Sequence, residues 1–412
     1  MQGRLPRHWI LIFRMALVIF FSGCHYSYLP ASVIEDVTGG HLRGPVHVAL
    51  LSKTSFERRL DAPVPCHLGS GRSSRLAFGL ESTQVLFDES SRTAHLPGMM
   101  PPLIDHRSGG LRVAVERDTD RRKMLFRVLF QLHLSLLDAN FLGSQKIAAL
   151  DSDACWAAIA FRGAAAQLLT HFTMWQLGSN PDLYRIRNDN NALESKELSA
   201  SDSDLPAHAL LVFFLLMDSF KVGLAVHDVG GIPLVLRSVL NPPVSTEQIL
   251  HPEKFLAGEL PVPVASPATL PMPTGWRPIE SGHLGELAIR SIFFRCKSVL
   301  PGTTAGTGWG GDSYTVFEDS AHHLALLWIT TWDSVQDAKN FGAYLRRGSA
   351  CLLGDPSTTK LFTSPGFWSQ MAGQNFGVIR GISQSDAKGL MDSLLGLVGP
   401  PLPNAPPLAR TK

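Results

Sequence analysis

The sequence predicts an α+β protein, and three observations carry that prediction. Between about 119 and 243, apolar residues recur at three- and four-residue spacing, the period of buried helices. After 277, short apolar runs at strand length alternate with helical stretches, the order expected of a small antiparallel sheet with helices on it. Between these regions, residues 257–276 hold many prolines and read as a linker. An apolar fraction of 45% with 17% charged residues is that of a globular chain with a real core. The 412 residues suffice for two domains. A mainly helical domain is expected over 42–256 and a smaller α+β domain over 277–398. The proline-rich tail over 399–412 has nothing to bury and is expected to be disordered.

In chain order, residues 45–51 alternate and read as a strand, followed by a short helix at 56–60. Residues 61–75 are rich in Pro, Gly and Ser and read as a loop. Residues 84–87 and 111–115 are strand candidates, with a Pro-Pro turn at 101–102 between them. A helix is expected from Asp118 and Thr119 to about Phe141, on the spacing of Leu125, Val128, Leu129, Leu132 and Leu136. A second covers about 151–177, with Asp151, Ser152 and Asp153 as N-cap candidates. Residues 189–204 are loop-like. The apolar helix at 205–217 is too short to span a membrane and reads as a core helix. A further helix ends at Asn241-Pro242-Pro243. Beyond the linker come a helix (282–297), a Gly-rich turn (302–311) and strands at 313–318 and 322–330. A helix (334–346), a strand (376–381) and a last helix (384–397) complete the order.

The start of the chain has its own chemistry. Arg4, Arg7 and Arg14 precede the short apolar run 15–21, and Ser22 and Gly23 lead to Cys24. A basic n-region, a short h-region and small residues describe an export signal rather than a spanning helix. Phe21-Ser22-Gly23-Cys24 resembles the lipobox, with Phe21 where Leu is usual. That resemblance implies a signal at 1–23, palmitate-type acylation of Cys24, a tether over 24–41 and attachment to the membrane in the cell envelope. His25 in place of Asp implies the outer rather than the inner membrane. A net charge of +2, without a basic block beyond the signal, argues against nucleic acid as a partner. Cys66, Cys155, Cys296 and Cys351 can pair in three ways, which the sequence does not rank, and no C-x-x-C is present.

Three further segments carry a resemblance. One is Pro243 to Phe255, PVSTEQILHPEKF. The next is Gly308-Trp309-Gly310-Gly311-Asp312-Ser313-Tyr314, followed by Trp332-Asp333-Ser334 and Asp337-Ala338. The third is the helix pair 125–141 and 151–174. In this order they resemble a family of bacterial secreted or lipid-anchored proteins with a zincin-type metallopeptidase domain, over roughly 42–350. The resemblance implies a site where two His one turn apart and a Glu from a neighbouring helix hold Zn²⁺. A Glu inside the HExxH motif then serves as general base for the metal-bound water.

This chain lacks those groups. Asp138-Ala139-Asn140-Phe141 falls on the family's D-Q-x-F, which puts Phe130 and Leu134 on the two His positions and Gln131 on the catalytic Glu. Arg162 falls on the third ligand position. Phe and Leu cannot ligate zinc, Gln cannot take a proton and Arg repels a cation. The resemblance therefore implies a degenerate site with no metal and no cofactor. Arg162 is expected to pair with a carboxylate such as Asp138 or Glu247. His133, with Leu at positions 129 and 137, reads as a core or groove histidine with a hydrogen-bond partner. Glu247 and His251 have two readings: residues of a polar groove, or part of a structural clasp with Ser245 or Thr246 as N-cap. His322 and His323 open a strand and are expected to point to opposite faces. The function expected is an inactive, envelope-tethered relative of a metallopeptidase that binds a protein or peptide partner or acts as scaffold. An active hydrolase with a rearranged site is the alternative.

Overall fold

The protein is α+β. The computed structural model describes residues 46–51, 66–67, 71–78, 80, 103–104, 111–116, 121–140, 146–147, 149–176, 210–211, 214–294, 304–353, 361–362 and 367–408. The export signal with Cys24, the tether, the expected elements at 56–60 and 84–87, the turn at 101–102, the loop 189–204 and Cys296 lie outside them.

In chain order the elements begin with β1 (Val46–Leu51), α1 (Arg72–Phe78), β2 (Leu103–Ile104) and β3 (Leu111–Glu116). Then come α2 (Arg121–Asn140), α3 (Ser152–Gln176), α4 (Ser219–Leu240), α5 (Thr246–Leu250) and α6 (Pro252–Ala257). The second half has β4 (Arg277–Gly282), α7 (Gly285–Phe294), β5 (Trp309–Glu318), β6 (Leu324–Trp332), α8 (Val335–Leu353), β7 (Phe367–Ala372), β8 (Asn375–Arg380) and α9 (Gln384–Leu395). β1 and β3 run parallel, with β2 antiparallel on the far side of β3. The second sheet, in the order β4-β5-β6-β8-β7, is antiparallel throughout.

α3 is the central helix of the first half. Nearly all of its residues from Ser152 to Met174 are buried, including Trp156, Phe161, Leu168 and a run of alanines. Small side chains let neighbours come close, and Gly223 of α4 shows how close. A Cβ there would meet the Ala164 Cβ at 3.0 Å and Leu168 Cδ1 at 3.1 Å. The apolar stripe of α2 meets α3 as its spacing requires, with Val128, Leu129, Leu132 and Leu136 buried. Asp151 caps α3, its Oδ1 accepting the Ala154 N–H at 2.9 Å. Cys66 and Cys155 form a disulfide that ties the first turn of α3 to the segment before α1.

β6 is buried along its whole length. Leu324, Leu326 and Trp328 face one apolar cluster, and Ala325, Leu327 and Ile329 face the other, the alternation that a two-sided strand demands. The first cluster continues without a break into the helices of the first half. The second is closed by α9 through Ala387, Leu390, Met391 and Leu394.

Several expectations need correction. The stretch 61–75 is not loop throughout, since α1 begins at Arg72. The apolar helix expected to end at Met217 does not end there. A π-helical turn (Phe214–Asp218) passes into α4, so Phe214–Leu240 is long and apolar enough to cross a membrane by length and composition, as some core helices are. Its kink lies at Gly230 and Gly231, the latter at φ +65, just before Pro233. β4 and β7, the two edges of the main sheet, were not anticipated. His322 and His323 do not open a strand. They sit in the β5–β6 turn, His322 at φ +63, each bonded to a carboxylate four residues back, Glu318 and Asp319 respectively. Finally, residues 399–408 are not loose. Gly399, Ala405 and Leu408 donate backbone N–H groups to Pro263, Gly258 and Leu256.

Candidate functional site

The helix pair comes first, because the sequence put the degenerate site there. Phe130 and Leu134 are buried in the shared core, and Phe130 stacks on Phe126 with ring centroids 6.0 Å apart. Gln131 is half-buried, and its carbonyl accepts the Ser135 hydroxyl at 2.8 Å. Arg162 pairs with Asp138, Nη1 to Oδ1, at 2.8 Å. Of the two carboxylates expected for Arg162, Asp138 is therefore its partner, while Glu247 pairs with Lys254. Burial lowers the Arg162 guanidinium from its ordinary pKa, and Asp138 works against that shift.

His133 is fully buried between α2 and α3. The Thr170 hydroxyl donates to the Ala166 carbonyl, so its oxygen accepts from His133 Nδ1 at 3.0 Å. Nε2 is then left to accept from the Thr173 hydroxyl at 3.3 Å. This arrangement fits a neutral ring with the proton on Nδ1, and burial pushes its pKa down to about 3. His133 is thus a core histidine with partners.

Glu247 and His251 belong to a second polar centre, where the three sequence motifs meet. Ser245 caps α5, its hydroxyl accepting the Gln248 N–H at 3.3 Å, and Gln248 Oε1 accepts the Val244 N–H at 2.7 Å. The clasp reading of this segment therefore holds, with Ser245 as the cap and Gln248 as the residue reaching back. Thr246, the first residue of α5, gives both its N–H (3.1 Å) and its hydroxyl (2.5 Å) to Asp153 Oδ1 of α3. Its hydroxyl oxygen also accepts the Leu287 N–H of α7 at 3.1 Å.

Asp312, in β5 within the Gly-Trp-Gly-Gly-Asp motif, accepts four donors: Leu284 N–H, Gly285 N–H, Trp309 Nε1–H and Trp328 Nε1–H, at 3.0 to 3.2 Å. Burial raises the Asp153 and Asp312 carboxyls above the usual range, and these hydrogen bonds oppose the shift. Gly285 must be glycine here. It sits at φ +75, and a Cβ would stand 1.7 Å from Asp153 Oδ1.

A charged layer lies beside this. Lys254 Nζ is 2.7 Å from a carboxylate oxygen of each of Glu247, Glu259 and Asp333. Burial raises Glu247 to about 8 despite the ammonium, with Glu286 and Asp333 adding in the same direction, whereas the three carboxylates raise Lys254. The oxygens of Glu247, Glu259 and Asp333 lie within 4.8 Å of one another, the one such acidic, His or Cys group among the described residues. Lys254 supplies the positive charge at its centre. Next to it, His251 Nε2 meets buried Glu286 at 3.2 Å, and Arg290 binds the same carboxylate through Nε at 2.9 Å. The bond to Glu286 raises the pKa of His251. Among the described residues no hydroxyl or thiol bonds to His251, so the centre has proton donors and acceptors but no paired nucleophile.

Lys254, Asp312 and Asp333 lie in the motifs quoted above and Asp153 is among the cap candidates, but the sequence reading assigned a site role to none of them, nor to Glu259, Glu286 or Arg290. One signal was available: Glu286 and Arg290 are the only charged residues in an otherwise apolar helix and stand four apart.

A family model described as a domain of unknown function (DUF8575) matches residues 275–380, from just before β4 to the end of β8. No curated protein matches the chain. No solved structure matches it.

Proposed function

We propose that the chain is an envelope lipoprotein, a catalytically inactive relative of a zinc metallopeptidase that binds a partner or acts as scaffold. The observation that carries this reading is the helix pair. The positions that would hold the metal and its base are two buried apolar side chains, an amide and a guanidinium bonded to Asp138. A cation placed there would face Arg162 and find no nitrogen or carboxylate ligand on Phe130 or Leu134. The Cys66–Cys155 bond supports an oxidising compartment, as the export signal does. Attachment to the membrane would run through the acyl group on Cys24.

The test has two arms. Labelled palmitate is expected to enter the chain in the bacterial host and to be lost in Cys24→Ser; equal labelling of both would end the lipoprotein part. The purified chain is expected to leave casein and unstructured peptides uncut. Cleavage abolished by His251→Ala, with the fold intact, would instead favour a rearranged hydrolase. The His251–Glu286 contact is the observation that gives that second reading its footing.

A further inference from the structure

The main sheet has two edges, and they are built differently. β4 carries the features that keep an edge strand from pairing. Arg277 and Glu280 bring charge, Pro278 has no N–H to offer, and a bulge breaks the register between Pro278 and Glu280. β7 has none of these. Its residues, Phe-Trp-Ser-Gln-Met-Ala, include no charge and no proline, and all of them pair with β8 in unbroken register. Among the described residues, no backbone hydrogen bond reaches β7 from outside that pairing. One side of its backbone therefore presents N–H and C=O groups to be paired, which makes it a template for another strand. Phe367 and Met371 pack on one apolar cluster and Trp368 on the other, while Ser369, Gln370 and Ala372 are exposed. The Trp368 indole N–H is buried and finds no acceptor among the described residues. Buried donors are normally satisfied, so this one points to an acceptor that the single chain lacks.

We infer that β7 pairs antiparallel with β7 of a second copy of this chain, joining the two five-stranded sheets edge to edge. Three features select a second copy. A two-fold axis perpendicular to the sheet keeps the same face on the same side, so both apolar layers continue across the junction. Because β7 is uncharged, self-pairing places no like charges opposite one another. With the axis at Ser369, Phe367 stands opposite Met371, and Trp368 stands opposite Gln370 of the other copy. Directly opposed residues have Cβ atoms about 4.5–5.5 Å apart, which lets the Gln370 side-chain oxygen accept the Trp368 N–H. An axis at Gln370 would instead face Trp368 with Ala372, which has no side-chain acceptor. Since β4 is guarded against pairing, growth stops at two copies and does not continue into a filament. This inference stands apart from the metal-site reading and can fail or hold independently of it.

The experiment follows the association of the purified native chain by sedimentation velocity between about 1 and 200 µM. A strand pair of this length is a small interface, so a reversible dimer with Kd on the order of 10 µM is expected. Ser369→Lys sets two ammonium groups against each other at the axis and should weaken the dimer about tenfold or more. Ser369→Glu should do the same with two carboxylates. An equimolar mixture of the two variants should recover the dimer, now as a mixed pair with opposite charges facing. Ser369 is exposed, so both variants should keep the thermal midpoint of the parent. A parent that stays monomeric at the top of the concentration range would overturn the inference, as would a dimer that neither substitution weakens. Variants that remain monomeric when mixed would overturn it too, because their loss would then not come from charges meeting across the strand pair.

Discussion

Two regions of this molecule answer the same problem, polar groups inside a core, in opposite ways. Between α2 and α3 the described polar contacts include the Arg162–Asp138 ion pair and a neutral histidine held by two threonines. At the junction of α3, α5, α6, α7 and β5, carboxylates are crowded, and they are answered by backbone N–H groups, indole N–H groups, Lys254, His251 and Arg290. The first region is where the sequence resemblance would put a metal, and its surroundings are apolar. The second keeps the segments most like the family, and its residues spend their hydrogen bonds on one another. What resembles the family most closely in sequence is thus used here to join helices to sheet.

If that contrast is right, the largest loss comes from the second region. Asp312→Ala would strand four donors in a buried site, and it is expected to cost roughly 4 kcal/mol in chemical denaturation, since an orphaned buried donor costs about 1–3 kcal/mol. A loss below about 1 kcal/mol would mean that these contacts are incidental. The next largest should come from the helix pair. Arg162→Ala leaves Asp138 without its partner and is expected to cost about 3 kcal/mol, whereas Arg162→Met with Asp138→Leu should fall close to the parent. Equal losses in the two variants would show that the pair does more than neutralise itself.

The regions also separate by pH. His133 has a folded pKa of about 3, below its unfolded value of 6.5. Its contribution is complete above 6.5 and is lost as pH falls toward 3, with a slope of up to about 1.4 kcal/mol per pH unit. Glu247 runs the other way. With a folded pKa of about 8 against 4.5, its contribution is complete below 4.5 and is lost as pH rises through 8. His133→Leu should therefore flatten the acid limb of a stability–pH curve, and Glu247→Gln the limb between 4.5 and 8. Either variant flattening the wrong limb would break the assignment.

The elements legible in the sequence are those whose own residues decide them. α3 is mostly apolar around its circumference, and β6 opens with the apolar run Leu324 to Ile329, so each declares its burial. β4 and β7 were hidden because edge strands need no such pattern, and Pro278 is tolerated only at an edge. α1 was hidden in a Gly-Ser-Arg run. One of the N–H groups in its first turn, that of Ser74, is satisfied by Glu280, 206 positions away, at 3.1 Å. The same holds for the candidate site. Phe130, Leu134 and Arg162 could be judged one by one from their chemistry. The layer around Lys254 depends on Glu259, just past the end of α6, and on Asp333, which only the folded sheet brings to it. The tail was misread for a related reason: the composition of 399–408 cannot reveal the carbonyls of Leu256, Gly258 and Pro263 that receive it.

The most direct measurement is elemental analysis of the purified native chain after exhaustive dialysis in the presence of added zinc. Zinc well below one equivalent is the expected result, unchanged by Gln131→Ala or Asp138→Ala. Stoichiometric zinc that either substitution removes would contradict the reading of α2 and α3 as an emptied metal site.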